Sequence, residues 1–479
     1  MARFKKACFI TTAVILLFGR IEASELHIGG ATVSITPDQP VALSGQMHTR
    51  ISKGVDSPVT ATVLALESRD GQKVLDQAIM ISCDLVAIRE GVLDAVRNKL
   101  NQRLADFDSQ KLFLNATHTH TAPVLRESAY QLPDEGIIRP REYVEFFTER
   151  VVDAAVKAWS TRRPGSVGWG LGYAQVGLNR RSVYANGRAQ MYGATSDSAF
   201  RGLEGYEDHG VEVLCFWDEH GKLFATAINV ACPSQEVESK STIDADFWHQ
   251  VRRSLQAKHG EDLLVLAWTG ASGDQSPHLM FRKQAEERMR RLRGLSRLED
   301  IARRIVTAWD EAFQGAEQER HSDVMLIHKV QQIELPLREV TAQEVATVKA
   351  KIESLSKDPR NQRRILWHQK VVDRYQQQQD GSAKPYRMEL HAIRLGDIAI
   401  VTNDFELFTD FGIQMKARSP ALQTFVIQLA GPGSYIPSDR AAAGGGYSAI
   451  VESNVVGAKG GQVLTDRTLE VLHSLWPLP

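Results

Sequence analysis

The chain has few cysteines, almost no net charge and no long hydrophobic run. Its 479 residues include four cysteines and carry a formal net charge of -1. Beyond the N-terminal segment only Cys83, Cys215 and Cys232 remain, too widely spaced for a disulfide scaffold. Balanced charge provides no field that attracts nucleic acid or an anionic membrane. We therefore expect an ordinary globular protein with no nucleic-acid partner.

The N-terminus has the order of a secretory signal peptide. Basic residues at positions 3, 5 and 6 precede an uncharged stretch over 7–18, and small residues follow at 23 and 24. That stretch is too short to span a bilayer, and no later segment approaches the required length. The pattern predicts a signal peptide over residues 1–23 and a secreted or periplasmic mature chain without a transmembrane segment.

Four apolar stretches of strand length end in polar residues. They are "QAIMISCD" ending at Asp84, "KLFLNATHTH" ending at His118 and His120, "DLLVLAWTGASGDQSP" ending near Ser276, and "DIAIVTNDFE" ending at Glu406. Helical patterns occupy residues 89–107, 140–161, 245–259 and 282–314. This alternation predicts an α/β fold, mixed with α+β where strands cluster. In such sheets ligands bind at the C-terminal ends of the strands, so we expect the site there.

The chain shows no internal repeat and no Pro- or Ser-rich linker, so residues 24–479 are expected to form one catalytic domain. Residues 341–380, rich in Lys, Arg and Gln, predict an inserted helical hairpin. A surface excursion is favoured over a lid on the site.

The pair His118 and His120 is the strongest chemical signal. In extended structure residues two apart point to one face, and histidine is a common zinc ligand. The threonine-rich segment "ATHTHTAP" also offers hydroxyls that would orient the rings. Taken alone, such a pair is more often formed by ordinary surface or core histidines than by metal ligands.

Three further segments carry candidate groups. Asp274 and Ser276 lie on a glycine-rich turn, Glu406 follows a hydrophobic strand, and Tyr447 follows three glycines. Taken singly, each is consistent with a cap, a chain reversal or packing.

In this order along the chain, the segments "ATHTHTAP", "GDQSP", "NDFE" and "GGGYS" resemble the neutral, non-lysosomal ceramidases, which are secreted zinc amidases. Weaker matches are "GVDSPVTATVLALES" at 54–68 and "GLNRRSVYANG" at 177–187. The resemblance runs from about residue 26 to the end and corresponds to the family's catalytic N-terminal domain.

The resemblance implies roles for individual residues. His118, Glu406 and Tyr447 would bind Zn²⁺, and His120 would contact the reacting carbonyl or bound water. Ser276 would be a nucleophile or position the substrate, with Asp274 beside it as a candidate for proton transfer. The pocket lining would include Asn179 and Arg180.

The sequence departs from the family in three places. "INVACPSQEV" places Cys232 where the family has its second histidine ligand, so this thiol either replaces that ligand or packs as a free cysteine. "GDQSPH" has Gln275 and His278 where the family has Val and Asn. The chain also ends without the C-terminal β-domain that many secreted ceramidases carry.

These features predict a secreted, zinc-dependent amidohydrolase that cleaves a ceramide-like N-acyl amide. A lipid substrate would also bring the protein into peripheral contact with a membrane surface. One alternative is a metallohydrolase of a glycan or an ester on the same scaffold, which a narrow polar pocket would favour. Another is a secreted, non-catalytic binding protein.

Overall fold

The computed structural model describes residues 24–476, except for the side chains of residues 129 and 359. The predicted signal peptide, residues 1–23, lies outside the described residues. The strands are β1 Glu25–Ser34, β2 Thr60–Asp70, β3 Lys73–Cys83, β4 Leu112–Ala116, β5 Arg163–Tyr173, β6 Leu178–Asn179, β7 Arg181–Tyr184, β8 Ala189–Met191, β9 Phe200–Leu203, β10 Gly210–Asp218, β11 Leu223–Val230, β12 Leu264–Thr269, β13 Gln275–Ser276, β14 Leu326–Leu335, β15 Tyr386–Leu395, β16 Ile398–Thr402, β17 Glu406–Leu407, β18 Gln423–Ile427 and β19 Tyr435–Ile436.

The helices are α1 Val92–Asn101, α2 Pro140–Ser160, α3 Phe247–His259, α4 Lys283–Arg293, α5 Arg297–Ala316, α6 Ala342–Leu355, α7 Gln362–Gln379, α8 Thr409–Arg418, α9 Asp439–Gly444 and α10 Ala458–Leu475. Each helical pattern in the sequence corresponds to a helix. The pattern over 282–314 forms two helices, α4 and α5, because the chain takes a left-handed turn at Gly294. The predicted hairpin consists of α6 and α7.

Two large sheets organise the chain. The first has eight strands in the order β12-β11-β10-β5-β1-β2-β3-β4, and the second has the order β14-β15-β16-β18. Most neighbours are antiparallel, but β3–β4, β11–β12 and β16–β18 are parallel pairs. The predicted mixed α/β fold is therefore confirmed.

One inner core joins three groups of four strands. Alternate residues of β1–β4, of β5 with β10–β12, and of the second sheet point into it, including Leu64, Phe216 and Ile400. Helices cover the outer faces: α1 and α2 lie on the first group, α3 and α5 on the second, and α8 and α10 on the third. Strands buried on both faces explain why the apolar stretches read as nearly continuous runs.

The eight-stranded sheet folds back on itself, and this brings separate strand ends together. Its two edge strands, β12 and β4, are in contact: the amide of Asn115 donates to the carbonyl of Ala267 at 3.2 Å. Next to it, Ser82 Oγ donates to the same carbonyl at 2.6 Å. The chain that follows β4 therefore lies beside the chain that follows β12.

Candidate active site

His118 lies in the turn directly after β4 and has an unusual backbone. Its φ is +70°, a left-handed conformation that non-glycine residues rarely adopt outside functional sites or tight turns. Its amide donates to the carbonyl of Leu85 at 2.9 Å, and its ring Nδ1 donates to the carbonyl of Val86 at 2.6 Å. The loop after β3 thereby fixes the ring and leaves Nε2 as the acceptor.

The fixed Nε2 of His118 faces two other candidate groups. It lies 3.3 Å from Oε2 of Glu406 and 3.1 Å from Nε2 of His120. Burial raises the pKa of Glu406, but when the His118 ring is protonated its charge and hydrogen bond outweigh burial and hold the pKa of that carboxyl at about 2. The structure thus brings together three residues that the sequence singled out.

Glu238, which the sequence analysis missed, orients His120. Its Oε2 lies 3.1 Å from Nδ1 of His120, close in distance although poorly aligned for a hydrogen bond. Burial lowers the pKa of His120, and the neighbouring carboxylate only partly offsets this effect. Gly45, with a φ of +101°, makes room for the ring, since a Cβ there would lie 2.5 Å from Cγ of His120.

The threonines around the histidines hold the backbone rather than the rings, contrary to the prediction. Thr119 and Thr121 both donate to the carbonyl of Asp244, at 2.6 and 2.7 Å. Thr117 Oγ1 donates to the carboxylate of Asp84 at 3.3 Å. These hydroxyl bonds to a backbone carbonyl fix the loop. The rings are oriented instead by the carbonyl of Val86 and the carboxylate of Glu238.

Tyr435 and Arg180 form the far wall of the Glu406 site. β19 pairs in parallel with β17, so that Tyr435 stands opposite Glu406 and its hydroxyl helps to lower the pKa of that carboxyl. Arg180 Nη2 donates to the hydroxyl of Tyr435 at 3.2 Å and to the carbonyl of Gly273 at 2.9 Å. Arg180, which the sequence analysis singled out, is buried. Tyr435 was not anticipated from the sequence.

Ser276 belongs to a second group beside the first. Its Oγ accepts from the hydroxyl of Tyr192 at 3.0 Å and from the backbone amide of His278 at 3.1 Å. Gln235 donates to the same tyrosine hydroxyl at 2.8 Å. Nε2 of His278 lies 3.7 Å from Glu238, which connects this group to the histidines.

Asp274 and Asn179 are bonded to each other and to the start of α8. One carboxylate oxygen of Asp274 accepts from the hydroxyl and the backbone amide of Thr409, at 2.8 and 3.0 Å. The other accepts from the amide of Asn179 at 2.9 Å. Both residues are fully buried with these bonds satisfied, so they support the turn that carries Ser276.

Cys232 lies in an apolar cluster behind β11. It is fully buried among Val230, Phe247 and Trp248, and its Sγ lies 3.5 Å from the carbonyl of Pro233. Burial raises the pKa of the thiol well above its usual value. Zinc binds the thiolate, so this environment favours a packed, protonated cysteine.

Tyr447 is half exposed at the edge of the site, next to the inserted hairpin. Its ring centroid lies 5.9 Å from that of Tyr435 and 5.8 Å from that of Trp367 on α7. Burial, and then the charge of Glu406, raises the pKa of Tyr447 to about 12. The hairpin therefore packs against one of the predicted site residues.

The nitrogen and carboxylate donors present fit zinc in kind and in pairwise spacing. Ligands on a tetrahedral zinc lie about 3.3 Å apart, which matches the distances from His118 Nε2 to His120 and to Glu406. A carbonyl or carboxylate at the remote ring nitrogen, as Val86 and Glu238 provide, is typical of zinc-bound histidines. Within residues 24–476, however, the structure shows no group of three or more His, Cys, Asp or Glu that could hold a metal ion.

A cavity of about 1350 Å³ opens beside the Ser276 group. Its lining combines apolar and cationic side chains and includes Tyr192, His278, Met280, Phe281 and Arg297.

Two solved structures resemble the chain over almost its full length. Neutral ceramidase from Pseudomonas aeruginosa matches with a TM-score of 0.67 and 16% identity over 95% of this chain and 75% of that one. A structure described as a ceramidase complexed with C2 matches with a TM-score of 0.63 and 14% identity over 94% and 75%.

Comparisons of sequence alone found no counterpart: no family model and no curated protein matches the chain. No helix in residues 24–476 is long and apolar enough to cross a membrane. The resemblance to neutral ceramidases that the motifs indicated is therefore confirmed in the fold, and the chain has the architecture of those enzymes.

Proposed function

We propose that this protein is a zinc-dependent amidohydrolase that cleaves a ceramide-like N-acyl amide into a fatty acid and an amine. The observation that carries the proposal is the convergence of His120 and Glu406 on the fixed Nε2 of His118. We also propose that residues 1–23 direct export, so that residues 24–479 act outside the cytoplasm as a single catalytic domain.

The proposed zinc donors are His118, His120 and Glu406. Tyr447 would be the fourth donor, since the charge of Glu406 raises the pKa of its phenol. In this assignment His120 provides the second histidine ligand, which in the ceramidases lies at the position of residue 232. Cys232 remains the alternative, although its thiol packs in the core. Bound zinc would acidify a water and polarise the amide carbonyl.

The other residues of the site bind substrate and move a proton. Arg180 holds Tyr435 against Glu406 and so keeps the carboxylate aligned. An amine leaves only if it is protonated. Ser276 accepts two hydrogen bonds, so its hydroxyl hydrogen is free to point at the departing nitrogen, and the serine would relay to that nitrogen the proton that the attacking water loses. Asp274 and Asn179 position this serine.

A second candidate is hydrolysis of a non-lipid ester or glycan at the same centre. The polar group of Tyr192, Gln235 and His278 at the mouth of the large cavity favours it. Release of acid from N-acyl amides against release from matched esters separates the two.

Metal content tests the donor assignment. We expect purified wild-type protein to contain about one zinc per chain by elemental analysis, and His118→Ala and His120→Ala to lose most of it. Cys232→Ser, matched as a polar replacement of a thiol, should keep its zinc if the protein folds normally by circular dichroism. Loss of zinc from Cys232→Ser with retention in His120→Ala would transfer the ligand role to the thiol.

A further inference from the structure

The apolar residues of α4 point away from the protein. Ala285, Met289 and Leu292 are spaced four and three residues apart and so lie on one side of the helix. All three are exposed, Met289 to 40% and Leu292 to 62%. A surface helix normally turns its apolar side into the core. In α4 no residue is buried, and the apolar side faces outwards instead.

A different side of α4 holds the helix to the protein. Glu286 forms an ion pair with Arg304 of α5, and Nη1 of Arg290 donates to the carbonyl of Leu295 at 2.8 Å. Glu286 and Arg290 are each only partly exposed. Polar contacts thus fix the helix, and its apolar side is left open to a partner.

Cations surround the apolar side, and most of them have no acidic partner. Residues 282–293 contain six arginines or lysines and two glutamates. Both glutamates are paired, Glu286 with Arg304 and Glu287 with Arg290. The whole chain is nearly neutral, so this positive charge is local. Within residues 24–476, the cations of this segment that form no ion pair are Arg282, Lys283, Arg288 and Arg291.

The cavity beside the Ser276 group opens next to the apolar side of α4. Phe281, two residues before the helix, is 42% exposed and lines this cavity together with Ala285, Tyr192 and His278. Tyr192 in turn donates to Ser276 at 3.0 Å. The exposed apolar surface therefore continues from the helix to the mouth of a cavity that leads towards the proposed site.

We propose that Phe281 and the outward side of α4, the docking face, bind the surface of an anionic lipid membrane. A helix with an apolar side flanked by Arg and Lys lies in the membrane interface, where the cations meet lipid phosphates and the long side-chain stems lie along the apolar region. A second copy of this chain fits less well, since a two-fold contact would bring the cations of two α4 helices together.

Docking in this way would hold the cavity mouth at the membrane, so that a lipid could enter the cavity without crossing water. The inference extends the proposed amidase function by naming the surface from which the substrate comes. Membrane binding itself does not require hydrolysis.

Vesicles that differ in charge test the cationic part of the docking face. We expect the protein to bind vesicles of phosphatidylcholine with about 30% phosphatidylglycerol about tenfold more tightly than vesicles of phosphatidylcholine alone, because each cation near an anionic surface adds to binding. Arg288→Gln/Arg291→Gln should remove most of this difference, as measured by co-sedimentation. Equal binding of the two kinds of vesicle by wild-type protein would overturn the proposal.

Met289→Ser/Leu292→Ser tests the apolar part. Both side chains are exposed, so the variant should fold normally by circular dichroism and bind the mixed vesicles about tenfold more weakly. Leu422→Ser is the matched control, because Leu422 is 76% exposed but lies outside α4, directly before β18. It should bind as wild-type protein does. Equal binding by the two serine variants would contradict the role given to α4.

Sedimentation equilibrium without vesicles tests whether a second copy covers the docking face. We expect wild-type protein and Met289→Ser/Leu292→Ser to have the same mass. A dimer that dissociates only in the variant would assign the face to a second copy and reject the membrane.

Hydrolysis of a water-soluble N-acyl amide, assayed without vesicles, separates the docking face from the amidase function. Vesicle binding as expected without hydrolysis would reject the amidase function alone. Hydrolysis without vesicle binding would reject the docking face alone.

Discussion

His118 shows how a single side chain can be held ready for chemistry. Its left-handed backbone costs conformational energy, and two carbonyls of the neighbouring loop, those of Leu85 and Val86, stabilise it. In the neutral ring, the nitrogen that faces Glu406 is therefore the unprotonated one. His120 has no such carbonyl and depends instead on Glu238.

Glu238→Gln should lower kcat/KM for amide hydrolysis about 10- to 100-fold, because carboxylates behind metal-binding histidines typically contribute that much. The amide keeps the shape of the carboxylate but removes its charge from Nδ1 of His120. Steady-state kinetics with wild-type protein and the variant provide the comparison.

The matched control is Glu25→Gln, which changes another glutamate–histidine pair, with His27 at 2.8 Å, at the start of β1, where Glu25 is exposed. It should retain wild-type kinetics. If the two variants were equally active, Glu238 would have no part in orienting His120.

At the level of elements, the glycine-rich turn after β12 allows a close backbone approach. A Cβ at Gly273 would lie 2.3 Å from the carbonyl oxygen of Glu406, and the amide of Gly273 donates to the carbonyl of Leu407 at 2.8 Å. The turn thus positions β17, and through it the carboxylate of Glu406.

Gly273→Ala should lower the free energy of unfolding by about 1–3 kcal/mol, as expected when atoms are forced into a packed site. It should also reduce turnover, because β17 must move. Urea denaturation and amide hydrolysis measure the two effects.

Gly315→Ala is the control for this substitution. A Cβ at Gly315, in the last turn of α5, would meet no atom within 4 Å, so the change should leave turnover intact and raise stability by about 0.5 kcal/mol. Wild-type stability and turnover in Gly273→Ala would contradict the role given to the turn.

Periodicity predicted the long helices and the buried strands because each is a local pattern. It did not reveal β17 and β19, which have two residues each and no period to detect. Tyr435 and Glu238 were missed for the same reason: both lie in segments without a motif, and only pairing across the fold brings them to the histidines.

At the scale of the whole molecule, the site forms because the eight-stranded sheet folds back on itself. This places the ends of β4 and β12 side by side. The chain that leaves β16 of the second sheet then supplies Glu406, on the short strand β17. Polar residues at strand ends predicted that a site would form. They did not predict which strand ends meet, because the contact between the edge strands β4 and β12 is non-local. The resemblance to a ceramidase structure, at 16% identity, identifies the architecture. The substrate has to be inferred from the side chains of the site.

The most direct test of the central claim is fatty-acid release from a short-chain ceramide and from a simple N-acyl amide by the purified chain, with zinc and then with chelator. We predict release that stops on chelation and returns when zinc is added back. No release of fatty acid from either amide by folded, zinc-loaded protein, or release that chelation leaves unchanged, would contradict the assignment of a zinc amidase.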